Sequence, residues 1–162
     1  MERVIVIGSP GAGKSTFARA LRDKTGLPLH YLDMLWHKPD KTTVTREAFD
    51  AMLAQILQGE RWIIDGDYSR TLETRLKACD AVFFLDYPLE VCLQGVEDRR
   101  NKPRVDMPWV ETEPDQEFIQ YIRDFFPLRR PKVLALLEQY GADKALHIFH
   151  SRAQADSYLA SL

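Results

Sequence analysis

The stretch VIVIGSPGAGKST, residues 4–16, decides how this chain is read. Val4 to Ile7 are apolar on consecutive positions, as a strand covered on both faces requires. Gly8, Gly11 and Gly13 follow in a short turn, and from Lys14 to about residue 25 the sequence reads as a helix. A buried strand, a glycine-rich turn and a helix are the opening of a βαβ unit.

Gly8, Gly13, Lys14 and Ser15 satisfy the pattern G-x-x-x-x-G-K-[ST] in the strand–turn–helix setting that it needs. Glycines let backbone N–H groups converge at short range, and the helix N-terminus adds positive potential. Lys14 brings a full charge to β- and γ-phosphates, and the Ser15 hydroxyl is a ligand for Mg²⁺. The expected occupant is ATP with Mg²⁺, bound by Gly8, Gly11, Ala12, Gly13, Lys14, Ser15 and Thr16. A ligand-free structural turn would not account for Lys14 and Ser15 together at this spacing.

Outward from this turn, short apolar runs recur at 29–33, 61–66, 81–86 and 145–150. Between them lie helical stripes: Phe49, Met52, Leu53, Ile56 and Leu57; Leu89, Cys92, Leu93 and Val96; Phe118, Ile122 and Phe125; Val133, Leu136, Leu137 and Tyr140. Pro131 suits a first helical turn, and Pro127 is expected to break the chain between the last two stripes. Ser151 and Gln154 have capping-box spacing for a final helix. Alternating strands and helices predict a parallel sheet with right-handed crossovers in one domain, 1–162. The segment 101–115, with Pro103, Pro108 and Pro114 and many charges, fits neither element and is expected to be functional.

Composition narrows the function. The chain has 162 residues, 45% hydrophobic and 28% charged, which suffices for one core. A net charge of −2 gives no general attraction to nucleic acid, so none is expected as a partner. Cys79 and Cys92 have neither metal-ligand nor disulfide-framework spacing. The apolar run at the start is too short for a secretory signal, and none reaches membrane-span length. The expectation is a soluble, cytoplasmic protein. A guanine-nucleotide switch is excluded because NKPR at 101–104 places Arg104 where N-K-x-D needs aspartate.

Beyond the glycine turn, WIIDGDYSRTLETRL, ACDAVFFLDYPLEVCLQGVEDRR, YLDMLWHKP, PRVDMPWVETEPDQEFIQYIRDF and RPKVLALLEQY occur in an order that resembles the P-loop nucleoside-monophosphate-kinase group. The resemblance is strongest to bacterial adenylate-kinase-like, or DNA topology modulation, proteins related to flagellar regulation. It implies a three-layer α/β/α P-loop NTPase fold, a five-stranded parallel sheet ordered 2-3-1-4-5 and a short lid over about 99–130. The implied activity is transfer of the ATP γ-phosphate to a small acceptor, a nucleoside monophosphate in the first instance. A sugar or shikimate-like alcohol is the alternative acceptor. A different class, a nucleotide-dependent regulator binding DNA or a protein, is carried by the topology-modulation name.

The same resemblance assigns roles to residues. Asp65, ending the strand in WIIDG, corresponds to the aspartate that holds Mg²⁺ through water; Asp86 is second choice and reads better as a helix cap. Asp33 orients or deprotonates the acceptor, with Trp36 beside it. Arg70 and Arg75, after the D-G pair, are candidates for an acceptor phosphate, although the spacing from Asp65 to Arg70 is one longer than the group's pattern. Arg99 and Arg104 are the expected catalytic lid arginines, Arg123 and Arg129 are expected on the acceptor, and Arg152 is expected over the adenine.

Overall fold

The computed structural model describes residues 1–113 and 115–162; Pro114, inside the proline-rich segment, lies outside the described residues. Five strands form one parallel sheet: β1 Arg3–Gly8, β2 Leu29–Tyr31, β3 Trp62–Asp65, β4 Ala81–Leu85 and β5 Ala145–Phe149. Their order is β2-β3-β1-β4-β5, with β1 in the middle. The order matches the one the resemblance implies.

Alternation along β1 builds two cores. Val4 and Val6 face Ile63, Phe83 and Leu85 on one side, while Ile5 and Ile7 face Ile64, Val82 and Phe84 on the other. The first side is covered by α1 Lys14–Thr25, α5 Leu89–Arg99, α6 Gln116–Asp124 and α8 Arg152–Ala160, through Phe17, Leu21, Cys92, Val96, Ile122 and Ala155. The second is covered by α2 Leu32–Trp36, α3 Arg46–Leu57, α4 Ser69–Ala78 and α7 Arg130–Tyr140, through Leu32, Phe49, Leu53, Leu72, Leu76, Val133 and Leu137. This is why the central strands β1, β3 and β4 carry consecutive apolar residues: both of their faces are covered, while the edge strands β2 and β5 stay partly exposed.

Three local expectations change. The second strand stops at Tyr31, and Leu32–Trp36 turns into helix, so Asp33 sits in a first helical turn. Pro127 does not break the chain. It sits in a π-helical turn, Phe125–Arg129, that joins α6 to α7; the wider turn absorbs the missing N–H. Asp86 does not cap α5, whose N-cap position is Pro88; both its carboxylate oxygens accept from Arg130, each at 2.8 Å. Ser151 does cap α8, accepting from the Gln154 N–H at 3.2 Å.

All strands point the same way, so their carboxyl ends share one edge of the sheet. Gly8, Asp65 and the Tyr31–Asp33 corner lie together there, because Tyr31 and Val6 are both in register with Asp65. No helix among the described residues is long and apolar enough to cross a membrane.

Candidate active site

A cleft of about 770 Å³ opens at that edge. One wall is the glycine turn and the start of α1. Ala12 N–H donates to Ser9 O at 3.1 Å, and Lys14 Nζ donates to the same carbonyl at 3.1 Å. Gly11 and Gly13 hold φ of +83° and +91°, left-handed values that favour glycine. The turn lies directly on α5: a Cβ on Gly95 would come 2.0 Å from the Gly11 carbonyl oxygen. Arg152 braces it from the other side, donating to Ala12 O at 3.0 Å and Gly11 O at 3.4 Å. Its guanidinium thus supports the phosphate turn. It also lines the cleft.

The floor is formed by strand ends. Asp65 is buried, and burial pushes its carboxyl up to about 7; Lys14 opposes the shift, while Asp33 and Asp106 reinforce it. Asp33 lines the cleft and accepts a 2.6 Å hydrogen bond on Oδ1 from Tyr68. Burial and this carboxylate raise the Tyr68 phenol, which therefore stays a donor. Trp36 lines the same end and meets Phe49 edge-on.

The third wall is the segment after α5. Its ends are tied by Asn101 N–H donating to Glu111 O at 2.7 Å. Arg99 and Arg104 both line the cleft and both approach Glu111, at 3.1 and 3.4 Å. Arg104 also donates to both oxygens of Asp106, at 3.1 and 3.3 Å. Burial, then the neighbouring Arg104, lowers the Arg99 pKa. Trp109 packs edge-on against His37, joining this segment to the α2–α3 connection.

The structure therefore brings Lys14, Ser15, Thr16, Asp33, Trp36, Asp65, Arg99, Arg104 and Arg152 to one cleft. It does not bring Arg70, Arg75, Arg123 or Arg129 to its surface. Arg70 is exposed and paired with Asp50 at 2.8 and 3.1 Å. Arg75 is fully buried, donating to Thr71 Oγ1, Gly66 O and Tyr68 O at 3.2, 3.1 and 2.7 Å. Its side chain holds the backbone after β3, and neither Arg70 nor Arg75 lines the cleft. Arg123 is exposed and lies off the cleft. Arg129 lies behind the wall, its guanidinium 3.6 Å from the centre of the Tyr121 ring.

Among the cleft residues that the sequence did not single out are Arg19, Asp67 and Gly95, beside Tyr68, Asp106 and Glu111 described above. Arg19 donates to the hydroxyls of Ser15 and Thr16. Asp67 lines the acceptor end beside Tyr68. Gly95 is the contact point for the turn; a lone glycine inside the apolar-striped α5 was a legible sign of close backbone approach.

The cleft fits Mg²⁺. Ser15 Oγ and the carboxylate of Asp65, with Asp33 and Asp106 nearby, are the oxygens that would hold it with the phosphates and water. No group of three or more His, Cys, Asp or Glu side chains among the described residues could hold a metal alone. That suits an ion that binds through few protein oxygens, phosphates and water.

No family model matches the sequence, and no curated protein matches it. The topology-modulation name finds no support there. Solved structures do match. A shikimate kinase from Acinetobacter baumannii, in complex with shikimate, superposes with a TM-score of 0.65 at 20% identity, over 99% of this chain and 90% of that one. A shikimate kinase from Bacteroides thetaiotaomicron superposes with a TM-score of 0.66 at 18% identity, over 99% and 95%. At this identity the likeness establishes architecture: a P-loop α/β fold with the sheet order that shikimate kinases share.

Proposed function

We propose that the chain is an ATP- and Mg²⁺-dependent phosphotransferase acting on a hydroxyl of a small acceptor. One observation carries this reading. A single cleft holds the phosphate turn with Lys14 and Ser15, the arginines Arg99 and Arg104, and the carboxylate of Asp33. The likeness to shikimate kinases supports a small-molecule kinase. Arg70 and Arg75, the candidates for an acceptor phosphate, are engaged with Asp50 and with backbone and do not line the cleft.

The chemistry follows from positioning and charge. Lys14 and the backbone N–H groups of the turn hold the β- and γ-phosphates. Ser15, with Asp65 behind it, would hold Mg²⁺, which would supply positive charge against the phosphates. Asp33, oriented by Tyr68, takes the proton of the acceptor hydroxyl. The acceptor oxygen forms a bond to Pγ as the bond from Pγ to the bridging oxygen breaks, and ADP leaves. Arg99 and Arg104 form the lid and compensate charge on the transferring group; Glu111 neutralises them until phosphates compete for them. Closure over the cleft excludes water, which would otherwise take the phosphoryl group.

The test is ADP release from ATP–Mg²⁺ across a panel of sugars, small alcohols and nucleoside monophosphates. Stimulation by one acceptor is expected, with kcat falling about 10³-fold in Arg104→Ala. ADP release indifferent to every acceptor would refute the reading.

A further inference from the structure

Among the described residues, Arg75 alone of the charged side chains is 0% exposed. A long side chain on a helix runs toward the helix N-terminus. From α4, Arg75 accordingly reaches back over Thr71 to the loop that follows β3. Its Nη1 donates to Gly66 O at 3.1 Å, its Nη2 to Tyr68 O at 2.7 Å, and its Nε to Thr71 Oγ1 at 3.2 Å. Each of these acceptors is neutral. Burial lowers the guanidinium pKa to about 10, and the charges of Asp67 and Asp65 act against that shift. A buried cation held by neutral oxygens is costly to keep, and a packed apolar side chain fills such a space without that cost. What the planar fork supplies, and an apolar residue cannot, is a fixed path for the main chain of 66–68.

That path aims Tyr68. Its ring stacks on Phe49 of α3 with centroids 5.2 Å apart, and Phe49 is itself buried. With its carbonyl held by Arg75 and its ring by Phe49, Tyr68 donates its phenol to Asp33 Oδ1 at 2.6 Å. No other hydrogen bond from a described residue reaches that carboxylate, whose terminal torsion is otherwise broad.

We propose that Arg75 is a positioning residue for phosphoryl transfer, acting on Asp33 through Tyr68. This rests on the kinase reading above. Gly66, Tyr68 and Asp33 line the cleft, and Arg75 stands behind them. Without the guanidinium the loop loosens, the phenol leaves Oδ1, and the acceptor hydroxyl meets a carboxylate free to turn. The phosphate turn and the segment after α5 form other walls, so ATP binding does not depend on Arg75.

A double-mutant cycle on Arg75→Met and Tyr68→Phe tests this. The acceptor is the one among the sugars, small alcohols and nucleoside monophosphates above that most stimulates ADP release. Single-turnover phosphoryl transfer is measured at saturating acceptor, with ATP–Mg²⁺ affinity by calorimetry beside it. Each single variant is expected to slow transfer about 10-fold, with ATP affinity unchanged. The double variant is expected to be no slower than either, because the guanidinium acts through the phenol that it places. Arg75→Lys keeps a buried cation without the fork. It is expected to retain part of the rate beside Tyr68 and to make no difference in the Tyr68→Phe background; it also serves the cycle if Arg75→Met does not fold. Losses that multiply to about 10²-fold in the double variant would overturn the proposal, since Arg75 would then act independently of Tyr68. ATP affinity falling in step with the rate would overturn it too, by making Arg75 a general structural residue. So would an unchanged rate in either single variant. In each of these cases acceptor-stimulated ADP release by wild type leaves the kinase reading intact. No stimulation by any acceptor would overturn the kinase reading and the proposal with it.

Discussion

Asp65 shows how a single residue links stability to function here. Its carboxyl is enclosed at the end of β3 and titrates near 7 in the folded chain, against an ordinary value of 3.8. The folded state therefore binds the proton more tightly than the unfolded state. Asp65 costs nothing below about pH 4, costs progressively more as pH rises toward 7, and imposes its full penalty above that. The shift corresponds to a penalty on the order of 4 kcal/mol. Asp65→Asn is expected to melt several degrees above wild type at pH 8, with the gap closing toward pH 4, while phosphotransfer is lost. Thermal melts across that range check it; an equal gap at all pH values would contradict it. Lys14 and Ser15 were legible because their pattern is local to one turn. The partners of Arg70 and Arg75, Asp50 and the backbone after β3, cannot be read from spacing. Arg19 escaped notice for the same reason: its contacts with Ser15 and Thr16 depend on side-chain direction.

At the level of elements, the phosphate turn is only as well placed as its packing on α5. Gly95 and Gly11 meet backbone to backbone, and an added Cβ would come 2.0 Å from the Gly11 oxygen. Alanine would favour the helix by roughly 1 kcal/mol. The clash is with main chain and cannot be relieved by a rotamer, so displacement of the turn outweighs that gain. Gly95→Ala is expected to destabilise by about 1–3 kcal/mol and to weaken ATP binding. Calorimetric titration with ATP–Mg²⁺, beside a melt, checks both; unchanged affinity would show that the contact does not position the turn. The π-helical turn is a second device. It carries the chain through Pro127 and presents consecutive arginines to two strand ends, Arg129 to Asp67 and Arg130 to Asp86. Apolar periodicity predicted both flanking helices, yet it carries no information about a wider turn between them. The shortened β2 has a similar cause: LHYLD is apolar enough for a strand, and the corner at Leu32 is set by its burial against α3, α4 and the sheet.

Across the whole molecule, the sheet order places one cleft at the strand ends beside central β1, and the loops around it supply both basic and acidic side chains to its lining. The strands, their order and the phosphate turn were accessible from sequence through periodicity, one specific motif and a family resemblance. The acceptor end was not, because its character depends on which guanidinium groups are consumed by distant carboxylates. A net charge of −2 conceals that arrangement entirely. If this cleft moves a phosphoryl group from ATP to a hydroxyl, the product is a phosphomonoester. ³¹P NMR of ATP–Mg²⁺ with the protein and each of a panel of hydroxyl-bearing acceptors detects it. A new phosphomonoester resonance is expected with one acceptor, growing in step with ADP and absent in Asp33→Asn. ADP accompanied only by inorganic phosphate, whatever the acceptor supplied, would contradict it.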